Sequence, residues 1–193
     1  MSTSDDLRTS ADGAARSEVE RLRAEIAHLR ERVEQLDRMA HEDTLTRLPN
    51  RRGFMRHLTR LIDRVQRYGD QGALLFVDID GLKIINDNCG HPAGDKALVQ
   101  VAECLVEGVR ASDCVARIGG DEFAVLLEHA DEAQARETAA RLVEQVAVCN
   151  FLYEGEPMPL SVAIGVAMLL ASDSAENVIA RADAEMYEAK TAA

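Results

Sequence analysis

Two short runs place acids where a packed sheet should avoid them. Asp78 and Asp80 flank Ile79 at the end of the apolar run 73–79, and Asp121-Glu122 follow Gly119-Gly120 between two short apolar stretches. Alternation along a strand turns Asp78 and Asp80 to the same face. If that strand neighbours the hairpin around Gly119-Gly120, Asp78 and Asp121 converge. Clustered carboxylates repel one another unless a cation lies between them, so the pattern points to a divalent metal. Mg²⁺ commonly takes one or two protein carboxylates and completes its shell with substrate phosphates, which directs attention to a nucleoside triphosphate. Each run also has a plainer reading. An Asp-x-Asp pair at a strand end is common, and Gly-Gly-Asp makes an ordinary hairpin tip whose glycines supply positive φ. Bare glycines equally admit a ligand close to the backbone, and spacing alone leaves both readings open.

The elements that must hold these residues are legible from periodicity. Asn50 is an N-cap for a helix carrying Phe54, Leu58, Leu61, Ile62 and Val65, which Gly69 ends. Residues 73–79 read as a strand buried on both faces. Residues 92–109 read as a helix with Ala97, Leu98, Val101, Leu105 and Val109 inward, and 114–118 and 122–127 as strands about the Gly-Gly turn. A helix at 132–148, a small hairpin of 151–153 and 158–160 around Glu154-Gly155-Glu156, a buried strand at 160–169 and a helix at 175–190 complete the chain. This gives an α/β (α+β) domain with a mixed, mainly antiparallel sheet covered by helices.

Ahead of that domain, Val19, Leu22, Ile26, Leu29, Val33, Leu36 and Ala40 alternate steps of three and four. The β-branched or small residues fall at heptad position a and leucines at d, the arrangement that favours two parallel strands. The flanking charges agree: Glu18 with Arg23, Glu25 with Arg30 and Arg32 with Asp37 become opposite-sign g–e′ pairs between two chains. One amphipathic helix packed on its own domain explains the stripe but not the ordered charges. The expected organisation is a flexible tail at 1–16, a parallel dimeric coiled coil at 17–42 and a globular domain at 43–193.

Composition bounds the function. A net charge of −12 and a pI of about 4.9 disfavour a broad nucleic-acid surface. No apolar run is long enough for a bilayer, and the N-terminus carries no signal-peptide core, so a cytoplasmic protein free of the membrane is expected. The four cysteines, Cys89, Cys104, Cys114 and Cys149, show no paired metal-ligand spacing. Cys89-Gly90-His91 offers two zinc ligands where a structural site takes four, so reduced thiols are the expected state.

From Asp43 to Lys190 the chain resembles a GGDEF domain, the catalytic domain of diguanylate cyclases. The resemblance rests on Asp43-Thr44-Leu45-Thr46 with Pro49-Asn50-Arg51-Arg52, and on Asp78-Ile79-Asp80 with Lys83, Asn86-Asp87, Gly90-His91 and Gly94-Asp95. It extends through Gly119-Gly120-Asp121-Glu122-Phe123, Ser161-Val162-Ala163-Ile164-Gly165-Val166, Ala182-Asp183 and Tyr187-Glu188-Ala189-Lys190. It implies a palm-like fold and a homodimer in which each domain binds one GTP. The 3′-hydroxyl of each GTP attacks the α-phosphate of the other, giving cyclic di-GMP and two pyrophosphates. By the same resemblance, Asp78, the Ile79 carbonyl and Asp121 hold two Mg²⁺ (or Mn²⁺) per half-site, and Glu122 assists metal binding or deprotonates the hydroxyl. Asn86 and Asp95 read guanine, Lys83 and Lys190 contact phosphates, His91 lies in the substrate site, and Gly119 and Gly120 let backbone lie against the nucleotide. Arg110-Ala111-Ser112-Asp113 matches the family's RxxD inhibitory site, where product limits its own synthesis; the plain alternative is an exposed helix end.

The sequence departs from the family's usual pattern at Arg47, Leu82 and Cys89, where Gly, Phe and Tyr are commoner, and in ending shortly after Lys190 without Gly-Arg-Asn. That loss leaves Lys190 more of the phosphate binding. Two other functions compete: a cyclic di-GMP sensor working through Arg110 and Asp113, and a coiled-coil adaptor. The intact Gly119–Glu122 run argues against the first, and Asn86, Asp95 and Lys83 stay unexplained by the second. No sensory domain is read ahead of the heptads.

Overall fold

The computed structural model describes the backbone of residues 3–192 and the side chains of 20–191. The chain divides into two units, 1–40 and 41–193. The first is the helix α1 (Thr3–His41). Residues 1–16, expected as a flexible tail, are therefore helical from Thr3; Leu7, Arg8, Ala11, Ala14 and Ala15 are strong helix formers that outweigh the intervening polar residues. Leu22, Ile26, Leu29, Val33 and Leu36 are 44–64% exposed, so the apolar stripe of α1 is uncovered in the single chain. The first heptad positions, Glu18 and Val19, lie outside the described side chains. No described helix is long and apolar enough to cross a membrane.

The second unit runs α2 (Arg51–Tyr68), β1 (Gly72–Ile79), α3 (Leu82–Cys89), α4 (His91–Glu107), β2 (Cys114–Arg117), β3 (Glu122–Glu128), α5 (Glu132–Ala147), β4 (Leu152–Tyr153), β5 (Glu156–Pro157), β6 (Val162–Met168) and α6 (Ala175–Ala192). Asn50 caps α2 as expected, its Oδ1 accepting from the N–H groups of Arg52 (2.9 Å) and Gly53 (3.1 Å). Gly69 closes it in the left-handed region at φ 70°. Asp131 and Gln134 form a reciprocal capping box on α5.

The main sheet has the order β2-β3-β1-β6, and all its pairings are antiparallel. Against the mixed, mainly antiparallel sheet expected, the antiparallel character and the helical cover hold, and only the parallel pairing is absent among the described strands. Each crossover skips one strand: β3 lies between β1 and β2, and β1 between β3 and β6, the split βαβ arrangement. Strand alternation sends Ala73, Leu75, Val77 and Ile79 into a core with α3, α4 and α5, and Leu74 and Phe76 into a second core with α2 and α6. The small hairpin also differs. Glu154 and Gly155 both have positive φ (53° and 88°), a two-residue turn of the I′ kind that fixes the second arm at 156–157 rather than 158–160.

Gly165 is where α6 settles on β6. A Cβ there would stand 2.1 Å from the Ala182 carbonyl oxygen and 2.2 Å from the Met186 nitrogen, both backbone atoms that cannot rotate away. Gly165→Ala should therefore destabilise the domain by about 1–3 kcal/mol, measured by urea unfolding. An unchanged midpoint would show that α6 is not seated this closely.

Candidate active site

Asp78 shares the parity of Leu74 and Phe76, so it faces α2 and α6 and not the α4 core. Glu122 stands directly across the antiparallel pair from it, on the same face by the same alternation. The next rung joins the two acidic runs through backbone, with the Ile79 N–H donating to the Asp121 carbonyl at 3.1 Å. The neighbouring strands that would make Asp78 and Asp121 converge are thus β1 and β3. Asp80 lies beyond the strand end, where the Ser161 hydroxyl donates to its Oδ2 at 2.9 Å.

Asp78 is 8% exposed, a carboxylate taken largely out of water. Its Oδ1 accepts a hydrogen bond from the Lys190 ammonium of α6. That bond raises the Lys190 pKa, with the Asp78, Asp80 and Asp121 charges adding to it. Burial pushes Glu122 up, and Asp121, Asp78 and Asp183 raise it further while Arg51 opposes them. This corner of the sheet therefore carries crowded negative charge, the condition a divalent cation relieves. Among the described residues, no three His, Cys, Asp or Glu side chains form a ready metal cage. The donor set still fits Mg²⁺, which needs only one or two carboxylates when phosphates supply the rest.

The turn above Asp78 is clamped from below. The Glu122 carbonyl accepts from the N–H groups of Ile118 (2.9 Å) and Gly119 (3.2 Å). Arg117 donates to the Gly120 carbonyl at 2.7 Å and, through its other terminal nitrogen, to both oxygens of Asp43 at 3.1 and 3.3 Å. Burial alone would raise the Asp43 carboxyl, but hydrogen bonds from the Thr46 N–H and hydroxyl and from Arg117 hold it below its ordinary value. Neither Gly119 nor Gly120 has a left-handed φ, so the positive-φ reading of this turn is corrected. Gly119 is bare for another reason: a Cβ would meet the Glu122 Oε2 at 2.1 Å, because that side chain folds over it. Gly120 faces open space.

The other expected substrate residues lie on α3, α4 and α6. Lys83 and Asn86 are on α3, a helix not read from the sequence, while His91 and Asp95 are exposed in the first turns of α4. Asn86 rests on Gly94, where a Cβ would stand 2.1 Å from its Oδ1, so only a bare glycine leaves room for the Asn86 side chain. Lys190, expected on phosphates, is paired with Asp78.

Arg110 and Asp113 line a separate cavity of about 270 Å³ between the end of α4 and α5. The Asp113 carboxylate is fixed by backbone, accepting from the Arg110 N–H (2.9 Å) and the Glu128 N–H (3.1 Å). Sequence reasoning missed Arg141, a second guanidinium on the same cavity, which donates to the Gly108 carbonyl at 2.6 Å. Only the pairing of α4 with α5 reveals it.

Residues 40–193 match the family model described as "Diguanylate cyclase, GGDEF domain". The diguanylate cyclase DgcP of Pseudomonas aeruginosa is 39% identical over 150 residues, covering 78% of this chain and 22% of that protein. TpbB of the same species, also a diguanylate cyclase, is 39% identical over 166 residues, covering 85% of this chain and 38% of its own length. The chain thus spans well under half of these relatives. Among solved structures, the coiled coil and GGDEF domain of Caulobacter crescentus DgcB in complex with c-di-GMP superposes with a TM-score of 0.85 at 28% identity, covering 91% of this chain and 94% of that one. P. aeruginosa SiaD, solved with its activator SiaC, gives 0.76 at 28% identity over 99% of this chain and 76% of its own.

Proposed function

Because the chain belongs to the GGDEF-domain family of diguanylate cyclases, we propose that it condenses two GTP molecules into cyclic di-GMP with release of two pyrophosphates. The observation that carries this reading is the pairing of Asp78 with Glu122 across β1 and β3, beneath an intact Gly119–Phe123 turn. In this cytoplasmic enzyme, Asp78, the Ile79 carbonyl and Asp121 hold two Mg²⁺ (or Mn²⁺) per half-site, with Glu122 beside them. Bound there, the cations supply Lewis-acid activation of the 3′-hydroxyl and neutralise charge on the phosphates. Glu122, half-buried and directly across the strand pair from Asp78, is the candidate to assist metal binding or to take the hydroxyl proton. Lys190 compensates Asp78 before substrate arrives and turns to the phosphates with Lys83 afterwards. Asn86 and Asp95 read the guanine edge, with His91 at the mouth of the site. Gly120 leaves open space for the nucleotide. Chelating the divalent cation should stop turnover, and adding Mg²⁺ or Mn²⁺ should restore it. Turnover that survives a chelator contradicts this assignment.

One domain holds half of the reacting atoms, so two chains must meet. The uncovered heptad stripe of α1 and the opposite-sign pairs Glu25–Arg30 and Arg32–Asp37 suit a parallel coiled-coil homodimer. The cavity of Arg110, Asp113 and Arg141 suits the product as feedback inhibitor, with two guanidiniums for phosphate and guanine and a fixed carboxylate for guanine N–H groups. Arg110→Ala should raise the cyclic di-GMP concentration for half-inhibition by about 10–100-fold, the worth of a lost charge-assisted contact. Initial rates at low product should be unchanged, since Arg110 is exposed and away from Asp78. Equal inhibition in both proteins, read from progress curves, would remove Arg110 from the product site.

A further inference from the structure

We propose that the outer edge of β6 is a docking site for an extended, cationic segment of a partner protein, which joins the sheet as a further strand between α5 and α6. The order β2-β3-β1-β6 leaves β6 paired on one side. The β1–β6 ladder fixes which of its backbone groups are spare. At the two ends of that ladder, the Asp80 N–H donates to the Ser161 carbonyl at 3.0 Å and the Leu169 N–H to the Gly72 carbonyl at 2.9 Å. Antiparallel pairing alternates between them, so Ala163, Gly165 and Ala167 turn their N–H and carbonyl groups to β1. Val162, Ile164, Val166 and Met168 turn theirs outward. Among the described residues, one hydrogen bond reaches that outer edge, from the Arg181 guanidinium to the Met168 carbonyl at 2.7 Å. The opposite edge is better closed, since the Arg117 N–H of β2 donates outward to the Pro49 carbonyl at 2.9 Å. Nor does β6 contain proline or a charged residue, two of the devices by which edge strands avoid pairing.

A groove of about 670 Å³ opens along this edge. Val166 and Met168 lie on its floor, Glu132 and Arg136 of α5 on one wall, and Glu185 and Glu188 of α6 on the other. The groove's chemistry selects its occupant. The spare amides of Val166 and Met168 and the Val166 carbonyl call for another strand's backbone, which neither a nucleic acid nor a lipid headgroup supplies. Arg181 is committed to Asp173 at 2.7 Å, and Arg136 to Glu132 and Glu185 at 3.1 and 2.8 Å. Glu188 is left as an uncompensated, exposed carboxylate on the rim. A second copy of this chain, docked edge to edge, would set two such acidic rims against each other. A strand with Lys or Arg at alternate positions meets Glu185 and Glu188 on the α6 side. The apolar residues between them turn to the α5 side, where Val166 packs. The Arg136–Glu185 pair straps the groove from wall to wall. With both side chains substantially exposed, that strap is weak and parts as the strand enters.

The probe is a capped peptide of alternating Lys and Val, matched to the seven residues of β6 and titrated into the whole protein. Amide NMR and hydrogen exchange should show saturable binding, with exchange at Val166 and Met168 slowed by about tenfold or more. The same peptide N-methylated on the amides that face the sheet should bind at least about tenfold more weakly, and so should a Glu/Val peptide. Arg136→Ala frees Glu132 and Glu185 for the peptide and should tighten binding by about two- to fivefold, whereas Glu188→Lys should weaken it by a similar factor. A structural role for Arg136 alone would not produce the gain. No binding at millimolar peptide, equal binding of the N-methylated form, protection centred outside β6, or an Arg136→Ala protein that binds no tighter would overturn the proposal. So would Val166 and Met168 amides that are protected in the protein alone in a concentration-dependent way, since a second copy would then occupy the edge.

Discussion

Asp121→Ala should lower the rate of cyclic di-GMP formation by about a thousandfold or more while leaving the fold and the dimer intact. Metal-assisted stabilisation of developing phosphate charge amounts to several kcal/mol, and each 1.36 kcal/mol is a factor of ten in rate. The fold survives because what Asp121 gives the sheet is its carbonyl, which accepts from the Ile79 N–H and remains in alanine. Its side chain has no part in either hydrophobic core. Turnover assays and sedimentation on the same preparation separate the two effects. Undiminished turnover would remove Asp121 from the metal site, and loss of the dimer would make its role structural.

Removing residues 1–40 should make activity steeply dependent on protein concentration. The cut falls at the boundary between the two units, so the domain of 41–193 keeps both its cores. What is lost is the effective concentration that a coiled coil gives two half-sites, a factor of about 10²–10⁴. At micromolar protein the truncated chain should turn over at least about a hundredfold more slowly per molecule, with specific activity rising in proportion to concentration. A specific activity independent of concentration and equal to that of the whole chain would show that the domains meet without α1.

The parts of the fold that repeat with a period were readable from residues alone. A near-continuous apolar run gave β1 and the Asn50 cap gave α2, so Asp78 could be placed at a strand end beforehand. The sheet order could not be read, because helical crossovers suggest parallel neighbours and nothing local says that each skips a strand. The helix α3 is short and lies between Gly81 and Gly90, both in left-handed or extended positive-φ backbone, which resembles a loop in sequence. The site followed the same division. Asp78, Asp121 and Glu122 were legible as misplaced acids. The bond from Lys190 to Asp78 spans 112 residues of sequence and appears only once α6 lies on β6. Arg117 read merely as the residue ahead of the signature, whereas its guanidinium ties Gly120 to Asp43. Gly119 is bare because Glu122 folds over it, a contact no spacing rule contains.

The most direct test is the identity of the product formed from GTP. Purified whole chain, incubated with GTP and Mg²⁺, should yield a compound with the mass of cyclic di-GMP and two pyrophosphates for each one made. An unconsumed GTP pool, GDP with phosphate, or a linear dinucleotide that never cyclises would contradict the account.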